Sequence, residues 1–188
     1  MIINGTTGID KLNGTPDSDF LRGFEGSDTL NGENGNDTLD GGTQKDFMYG
    51  GAGNDTYFFD EIGDRDYENP GEGYDSVFFK APGIYVTPAN VEYFEVLATG
   101  AVGMLGNAEN NTIKGNIGND TLAAGDGNDS IWGSFGDDSL VGGSGDDRLD
   151  GGEGMDTLAG GDGSDIYVLH DLQDTIREYA NYIGIDTI

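Results

Sequence analysis

The hydrophobic positions of this chain recur every nine residues. Two series of nine-residue units cover residues 5–58 and 106–168, and the eighth place of every unit is apolar or aromatic. Glycine at places one, two and four permits positive φ, so we expect the first six places to form a turn and the last three a short strand. Alternation in that strand points the eighth side chain inward. The eighth-place residues are Leu12, Leu21, Leu30, Leu39, Met48, Tyr57, Ile113, Leu122, Ile131, Leu140, Leu149, Leu158 and Tyr167.

A single unit buries one side chain and cannot fold alone. Two units that face each other across a thin core make one coil, and further coils must stack on it. The pattern therefore predicts an all-β chain, namely a β-solenoid of glycine- and aspartate-rich nonapeptides. We expect six nonapeptides in residues 5–58 and seven in residues 106–168, as one continuous solenoid or as two separate rolls.

A longer repeat contains the nonapeptides. The segment that starts at Asp55 matches the segment that starts at Asp165. The matched acidic residues are Asp64 and Asp174, Glu68 and Glu178, and, after one inserted residue, Asp75 and Asp186. We therefore expect an aromatic-rich β spacer at 59–105 and the start of a second spacer copy at 169–188. Because that copy stops early, we expect a piece of a longer protein, with a natural C-terminal cap as the alternative.

The charge of the chain narrows the choice of partners. There are 36 Asp and Glu against 8 Lys and Arg, for a net charge of −28. Nucleic acid and anionic membranes repel such a chain, so we expect neither as a partner, nor membrane insertion, and we expect cations instead. No apolar run approaches the ~18 residues of a membrane span, and the first ten residues do not resemble a signal peptide. The absence of cysteine and the single histidine, His170, disfavour zinc, copper and iron sites.

An aspartate occupies the sixth place of every unit except one, where Asn111 stands. Aspartates two units apart, such as Asp129 and Asp147, fall on neighbouring coils about 4.8 Å apart. Two carboxylates at about 5 Å repel by ~3 kcal/mol at an effective dielectric near 20. A divalent cation between the coils turns this repulsion into attraction. Ca²⁺, with its six to eight oxygen ligands, suits the gap better than Mg²⁺. Solvated turns are the alternative reading of these aspartates, and thirteen phased units disfavour it.

Five units resemble the calcium-binding nonapeptide of RTX (haemolysin-type) proteins. They are GGSGDDRLD, GGEGMDTLA, GGDGSDIYV, GENGNDTLD and GGAGNDTYF. The intervening segments resemble the spacer of long RTX proteins. The resemblance implies a parallel β-roll with calcium ions between turns two units apart. It also implies a secreted, extracellular bacterial protein that leaves the cell unfolded by type I secretion and folds on meeting calcium.

Carried onto this sequence, the resemblance implies several calcium ions, at most about nine. The implied side-chain ligands are Asp10, Asp19, Asp28, Asp37, Asp46, Asp55, Asp120, Asp129, Asp138, Asp147, Asp156 and Asp165. The implied carbonyl ligands are those of Gly51, Gly53, Gly125, Gly127, Gly143, Gly145, Gly152, Gly154, Gly161 and Gly163. We expect sites first at the pairs Asp120/Asp138, Asp129/Asp147, Asp138/Asp156 and Asp147/Asp165. Lys45 places a cation beside Asp46, so we expect sites that involve Asp46 to be weak or absent.

Calcium binding and folding are expected to be coupled. A compact state at −28 suffers self-repulsion that one apolar residue in nine can hardly overcome. Nine divalent ions would add about 18 positive charges and cross-link the coils. We therefore expect a cooperative folding switch that responds to calcium at ~10⁻⁴–10⁻³ M, the range of extracellular modules.

Two other functional classes stay open. As an enzyme, the chain lacks HExxH, GxSxG and DxDxDG motifs, and its one histidine has no nucleophile motif, so we expect no activity of its own. An accessory domain of a secreted enzyme remains a weaker alternative. As an adhesin or carbohydrate-binding module, the chain could offer a glycan or cell surface the aromatic residues between Tyr57 and Phe94. We expect most of these aromatics to fill a wider core or to cap the roll.

Overall fold

In the computed structural model, which describes residues 1–177 and 186–188, every regular element is a β-strand. The chain forms two units, of which unit 1 contains Met1–Ala81 and Pro88–Tyr93, and unit 2 contains Pro82–Thr87 and Phe94–Ile188. The division falls inside the predicted spacer. The described part of the chain contains no helix long and apolar enough to cross a membrane.

Unit 1 alternates its strands between two parallel sheets. The strands are β1 (Ile2–Asn4), β2 (Lys11–Asn13), β3 (Phe20–Glu25), β4 (Thr29–Asn34), β5 (Thr38–Thr43), β6 (Phe47–Ala52), β7 (Thr56–Phe59), β8 (Arg65–Tyr67) and β9 (Ser76–Phe79). The odd-numbered strands pair in sequence order in one sheet, and β2, β4, β6 and β8 pair in the other. All these pairs are parallel, because the chain advances by one coil between partners.

Unit 2 has the same construction. Its strands are β10 (Ile84–Val86), β11 (Tyr93–Val96, with Tyr93 in unit 1), β12 (Gly103–Leu105), β13 (Thr112–Lys114), β14 (Thr121–Asp126), β15 (Ser130–Phe135), β16 (Ser139–Ser144), β17 (Arg148–Glu153), β18 (Thr157–Asp162), β19 (Ile166–Val168) and β20 (Thr175–Ile176). The even-numbered strands form one parallel sheet, and β13, β15, β17 and β19 lie in the other. The predicted all-β parallel roll is therefore confirmed.

The strands extend beyond the last three places of most nonapeptides. In β3 to β6 and β14 to β18, each strand runs from place seven of one unit to place three of the next. The turn proper is confined to places four to six. The strand continues past place one because the residues at places two and three still pair with the next coil, as Gly143 does with Gly161.

The thin core consists of the eighth-place side chains and the glycines that follow them. All thirteen eighth-place residues are buried, from Leu12 to Tyr167, as expected. Identical places stack on each other, as in the pairs Leu21–Leu39 and Leu140–Leu158. Each of these longer strands also buries its first-place residue, so in β4 both Leu30 and Gly32 are inside.

The aromatics of the spacer and of the last nonapeptides before it divide between core and surface. Tyr57, Phe59, Phe79, Tyr85 and Phe94 are buried, as expected for a widened core. Others remain exposed. The outer face of β6 and β8 carries Phe47, Tyr49 and Tyr67, which are 39–45% exposed, and the rings of Tyr49 and Tyr67 stack with centroids 4.7 Å apart.

Candidate metal sites

The turns of the nonapeptides fall into two groups that differ in backbone conformation. In nine units, here called open turns, places two and four both have positive φ, as in Gly143 (127°) and Gly145 (126°). The open turns start at Gly23, Gly32, Gly41, Gly50, Ala124, Gly133, Gly142, Gly151 and Gly160. In the other four, here called closed turns, neither place has positive φ; they start at Gly5, Gly14, Gly106 and Gly115.

A ladder of carboxylates links successive coils in each unit. In each step, Oδ1 of an aspartate accepts a hydrogen bond of 2.7–3.2 Å from the backbone N–H of the matching residue one coil earlier. The N–H of Asp129, for example, donates to Asp147 Oδ1 at 2.8 Å. The accepting residues are Asp28, Asp37, Asp46, Asp55, Asp64, Asp75, Asp120, Asp129, Asp138, Asp147, Asp156, Asp165, Asp174 and Asp186. Each ladder carboxylate thus contacts two coils.

The second carboxylate oxygen separates the two groups of turns. In the three closed turns with an aspartate, the place-two N–H donates to Oδ2 of the same unit, as from Thr6 to Asp10 at 2.6 Å and from Asn116 to Asp120 at 2.9 Å. In the fourth, the N–H of Asn107 donates to Asn111 Oδ1 at 3.2 Å. Eight open-turn aspartates have a buried Oδ2 without a hydrogen-bond partner among the described residues: Asp28, Asp37, Asp46, Asp55, Asp129, Asp138, Asp147 and Asp156. A buried unpaired carboxylate oxygen is costly. Its repetition in the open turns points to a bound cation.

Backbone carbonyls converge with these oxygens. A Cβ atom added to Gly142 would collide with both Asp147 Oδ2 and the carbonyl oxygen of Gly160 on the next coil. Gly133 is in the same position between Asp138 Oδ2 and the Gly151 carbonyl. Carbonyls at places two and four also point along the stack, so those of Gly125 and Gly127 lie against Gly143 and Gly145. A set made only of carboxylate and carbonyl oxygens fits a hard cation, and above all Ca²⁺.

Burial raises the pKa of the ladder carboxyls. It raises the pKa of Asp46, Asp55, Asp138 and Asp147 to about 7, against the backbone hydrogen bond that each accepts, and neighbouring aspartates add to the rise. Burial likewise raises the pKa of Asp129 to about 6. The pKa values of Asp28, Asp37, Asp120 and Asp156 rise for the same first cause. Without a cation, the roll therefore disfavours the charged form of its own aspartates.

A family model agrees with this geometry. The RTX calcium-binding nonapeptide repeat (4 copies) matches residues 4–39, 22–57, 105–140, 132–167 and 141–176, which together make up more than half of the chain. The chain belongs to the RTX calcium-binding nonapeptide repeat family. Its repeats are calcium-binding repeats in a structural role. No curated protein matches the chain.

The residues that the sequence predicted as RTX ligands lie in both kinds of turn. Of the twelve aspartates, Asp10, Asp19 and Asp120 belong to closed turns, and the other nine to open turns. Each of the four favoured pairs is joined by a ladder hydrogen bond. The ten predicted glycines all have positive φ. Their role as ligands remains a prediction.

Asp46 resembles its neighbours in spite of Lys45. Its Oδ2 is buried and, among the described residues, unpaired like those of seven other open turns, and the aliphatic part of Lys45 lies against Gly63. The expected weakness of the site at Asp46 remains a prediction, and it now rests on the charge of Lys45 rather than on a difference in the turn.

Sequence reasoning missed four members of the ladder, because they lie outside the nonapeptides. Asp64 and Asp75 extend the ladder of unit 1, and Asp174 and Asp186 extend that of unit 2. The available signal was the match between the segments that start at Asp55 and Asp165, which aligned these same residues in pairs. Glu68 aligned in the same way with Glu178, which lies outside the described residues.

Proposed function

We propose that this RTX chain is a calcium-operated folding module and a structural scaffold without catalytic activity of its own. Ca²⁺ would be held between successive coils by the open-turn aspartates and by carbonyls of the facing turn. The observation that carries the proposal is the buried Oδ2 in eight open turns that has no hydrogen-bond partner in the part of the chain that the structure describes. Family membership supports calcium as the cation.

The energetic case rests on charge and on a thin core. The net charge of −28 opposes compaction, and the ladder stacks carboxylates in adjacent coils. Each site requires two coils, and an inner coil shares sites with both neighbours. Binding is therefore coupled to folding and is expected to be cooperative. At ~10⁻⁴–10⁻³ M calcium, the usual response range of extracellular modules, the switch would keep the chain unfolded inside a cell and folded outside.

This switch suits an exported protein, and we extend the proposal to type I secretion from a bacterial cell. An unfolded chain passes a secretion channel more easily than a folded one. Fusion of the whole chain to a passenger, with and without a type I apparatus in the host, tests the route. Export that does not depend on the apparatus would contradict it.

The calcium switch is tested by two triple variants that remove equal charge. The first is Asp138→Asn, Asp147→Asn and Asp156→Asn, in open turns; the second is Asp10→Asn, Asp19→Asn and Asp120→Asn, in closed turns. Asparagine retains an Oδ1 that can accept a backbone N–H, as Asn111 Oδ1 accepts that of Asn107 in a closed turn. Circular dichroism is followed during a calcium titration of the full chain.

We expect the open-turn triple variant to need at least about tenfold more calcium than the native chain, or to lose the transition. The closed-turn triple variant should titrate like the native chain. Equal behaviour of the two variants would contradict the assignment of sites to open turns. A full β-signal in excess chelator would contradict the switch itself.

A second candidate function is that of an adhesin or carbohydrate-binding module. The observation that favours it is the exposed row of Phe47, Tyr49 and Tyr67 on one sheet face, since flat aromatic rings stack on sugars. Glycan-array binding is measured with calcium and with chelator. Binding that is lost in the variant Tyr49→Ala with Tyr67→Ala, while the calcium transition is intact, would assign this function to the face.

A further inference from the structure

Three carboxylates from different parts of unit 1 come together where the nonapeptides give way to the spacer. Asp55 is the sixth-place residue of the last open turn of unit 1, Glu68 follows β8, and Asp75 precedes β9. Ligand oxygens from the three residues all lie within 4.8 Å of one another. The nonapeptide pattern accounts for Asp55 alone, because Glu68 and Asp75 lie in the spacer, outside the nonapeptides.

The oxygens face a space that glycine leaves open. A Cβ atom added to Gly50 would collide with Asp55 Oδ2, Glu68 Oε1 and the phenol oxygen of Tyr57 together. Asp55 is 1% exposed, and its Oδ2 has no hydrogen-bond partner among the described residues. Glu68 Oε2 is also buried without a partner there, while Oε1 accepts the hydroxyl of Tyr57. Buried acceptors aimed at one point indicate a missing positive partner.

The three carboxylates are held in place by further hydrogen bonds. Asp75 Oδ1 accepts the N–H of Asp55 at 2.7 Å, and the N–H of Asp75 donates to Glu92 Oε2 at 2.8 Å. The Tyr57 hydroxyl fixes Glu68 from within the core. The arrangement is therefore part of the fold rather than a loose acidic surface.

We propose that Asp55, Glu68 and Asp75 form a distinct three-carboxylate site for a divalent cation, with Ca²⁺ as its ligand. It rests on the proposed function in sharing Asp55 with the last open turn, but it adds two carboxylates from outside the repeats. More ligand charge gives tighter calcium binding. Because its carboxylates come together only in the fold, filling of this site before the open-turn sites folds the end of the nonapeptide roll of unit 1 locally, below the calcium concentration of the main transition. It thereby ties the segment between β8 and β9 to that end of the roll.

Unit 2 contains the start of the same arrangement. A Cβ atom added to Gly160 would collide with Asp165 Oδ2 and the Tyr167 phenol oxygen, as happens at Gly50 with Asp55 and Tyr57. Asp186 Oδ1 accepts the N–H of Asp165 at 3.0 Å. In the sequence, the residue that matches Glu68 is Glu178, which lies outside the described residues.

The test compares Glu68→Gln with Glu61→Gln, at an exposed glutamate between β7 and β8. Both variants lose one negative charge. Calcium binding to the full chain is measured by competition with a chromophoric chelator, and bound calcium is counted after equilibrium dialysis below the concentration of the folding transition. We expect Glu68→Gln to lose the tightest binding step, with at least about tenfold weaker affinity and one fewer ion bound. Glu61→Gln should match the native chain.

Two further variants make the result independent of general instability. Glu68→Asp keeps the charge but withdraws the oxygen, so it should also weaken the tight step. The open-turn triple variant should keep the tight step while losing the transition at higher calcium. Equal low-calcium binding by the native chain, Glu68→Gln and Glu61→Gln would overturn this site but leave the proposed function standing. Loss of the tight step and of the transition together in the triple variant would overturn the claim that the site is separate.

Discussion

The backbone N–H of Asp147 donates a hydrogen bond to Oδ1 of Asp165, one coil further along the roll, at 2.9 Å. In the coil before, Asp129 makes the same bond to Asp147. Each such aspartate therefore has two roles in the proposed function: Oδ1 joins coils, and Oδ2 would bind the cation. The two roles can be separated by mutation.

The first prediction separates them at Asp147. Asp147→Asn should retain the coil-to-coil hydrogen bond and lose only the contribution of calcium, whereas Asp147→Ala should lose both. In saturating calcium, we expect the alanine variant to be less stable than the asparagine variant by about 1–3 kcal/mol, the cost of an unsatisfied buried N–H. Denaturant unfolding gives both values. Equal stability of the two variants would show that the ladder bond contributes nothing.

The second prediction concerns pH in the absence of calcium. Burial raises the pKa of Asp138 and Asp147 from 3.8 to about 7 in the folded chain. A raised pKa means that the folded state binds protons more tightly, so stability is greatest below about pH 4 and is lost as the pH rises toward 7. In excess chelator, the β-signal should therefore increase as the pH is lowered from 7.5 to 5.

Calcium should invert this pH dependence. The ion binds deprotonated carboxylates, so protons compete with it, and the calcium concentration at the folding midpoint should rise as the pH falls from 7.5 to 5. The comparison needs only circular dichroism at several pH values. A cation-free chain that becomes less structured on acidification over this range would contradict the raised pKa values.

The third prediction concerns the glycines at place four of the open turns. Gly154 has a φ of 143°, which side chains rarely adopt, and an added Cβ atom would collide with the carbonyl of Gly136. Gly154→Ala should cost well over about 1 kcal/mol, because strain is added to a clash with backbone. The control is Ser134→Ala at place two, where a side chain already has a φ of 86°; there we expect a change within about 0.5 kcal/mol. Thermal unfolding in saturating calcium measures both.

The sequence allowed the repeat, the core and the ladder positions within the nonapeptides to be predicted, because a strict nine-residue period fixes which places coincide. It did not predict that the strand continues through place three, since that depends on hydrogen bonds made beyond the bend. The difference between open and closed turns was also missed. This difference depends on whether the place-two N–H points toward the sixth-place carboxylate. The N–H of Thr6 does so and that of Ser134 does not, although both side chains carry a hydroxyl. The contribution of Glu68 to the three-carboxylate site was also missed, because Glu68 lies outside the nine-residue repeats.

The last prediction concerns a carboxylate inside the core. Asp66 lies on β8 in register with Met48, where an apolar side chain is expected; it is 5% exposed, and neither of its oxygens has a hydrogen-bond partner among the described residues. Burial raises its pKa to about 7. The matching residue in the second copy is Ile176, on β20. An apolar residue at this position is therefore compatible with the coil.

We expect Asp66→Ile to stabilise the cation-free roll by about 1–3 kcal/mol at pH 7.5, since it removes a buried acceptor without a partner. Because the cation-free chain is largely unfolded at pH 7.5, the gain is measured there as a lower calcium concentration at the folding midpoint. Urea unfolding in chelator at pH 5, where the native carboxyl is largely protonated, gives the comparison and should show a smaller gain. Asp17→Ile, a substitution at an exposed aspartate, is the matched control and should give no such gain in stability. If Asp66→Ile instead weakens the tight calcium step to the same extent as Glu68→Gln, then Asp66 is a fourth carboxylate of that site, and its place in the core is maintained by the cation.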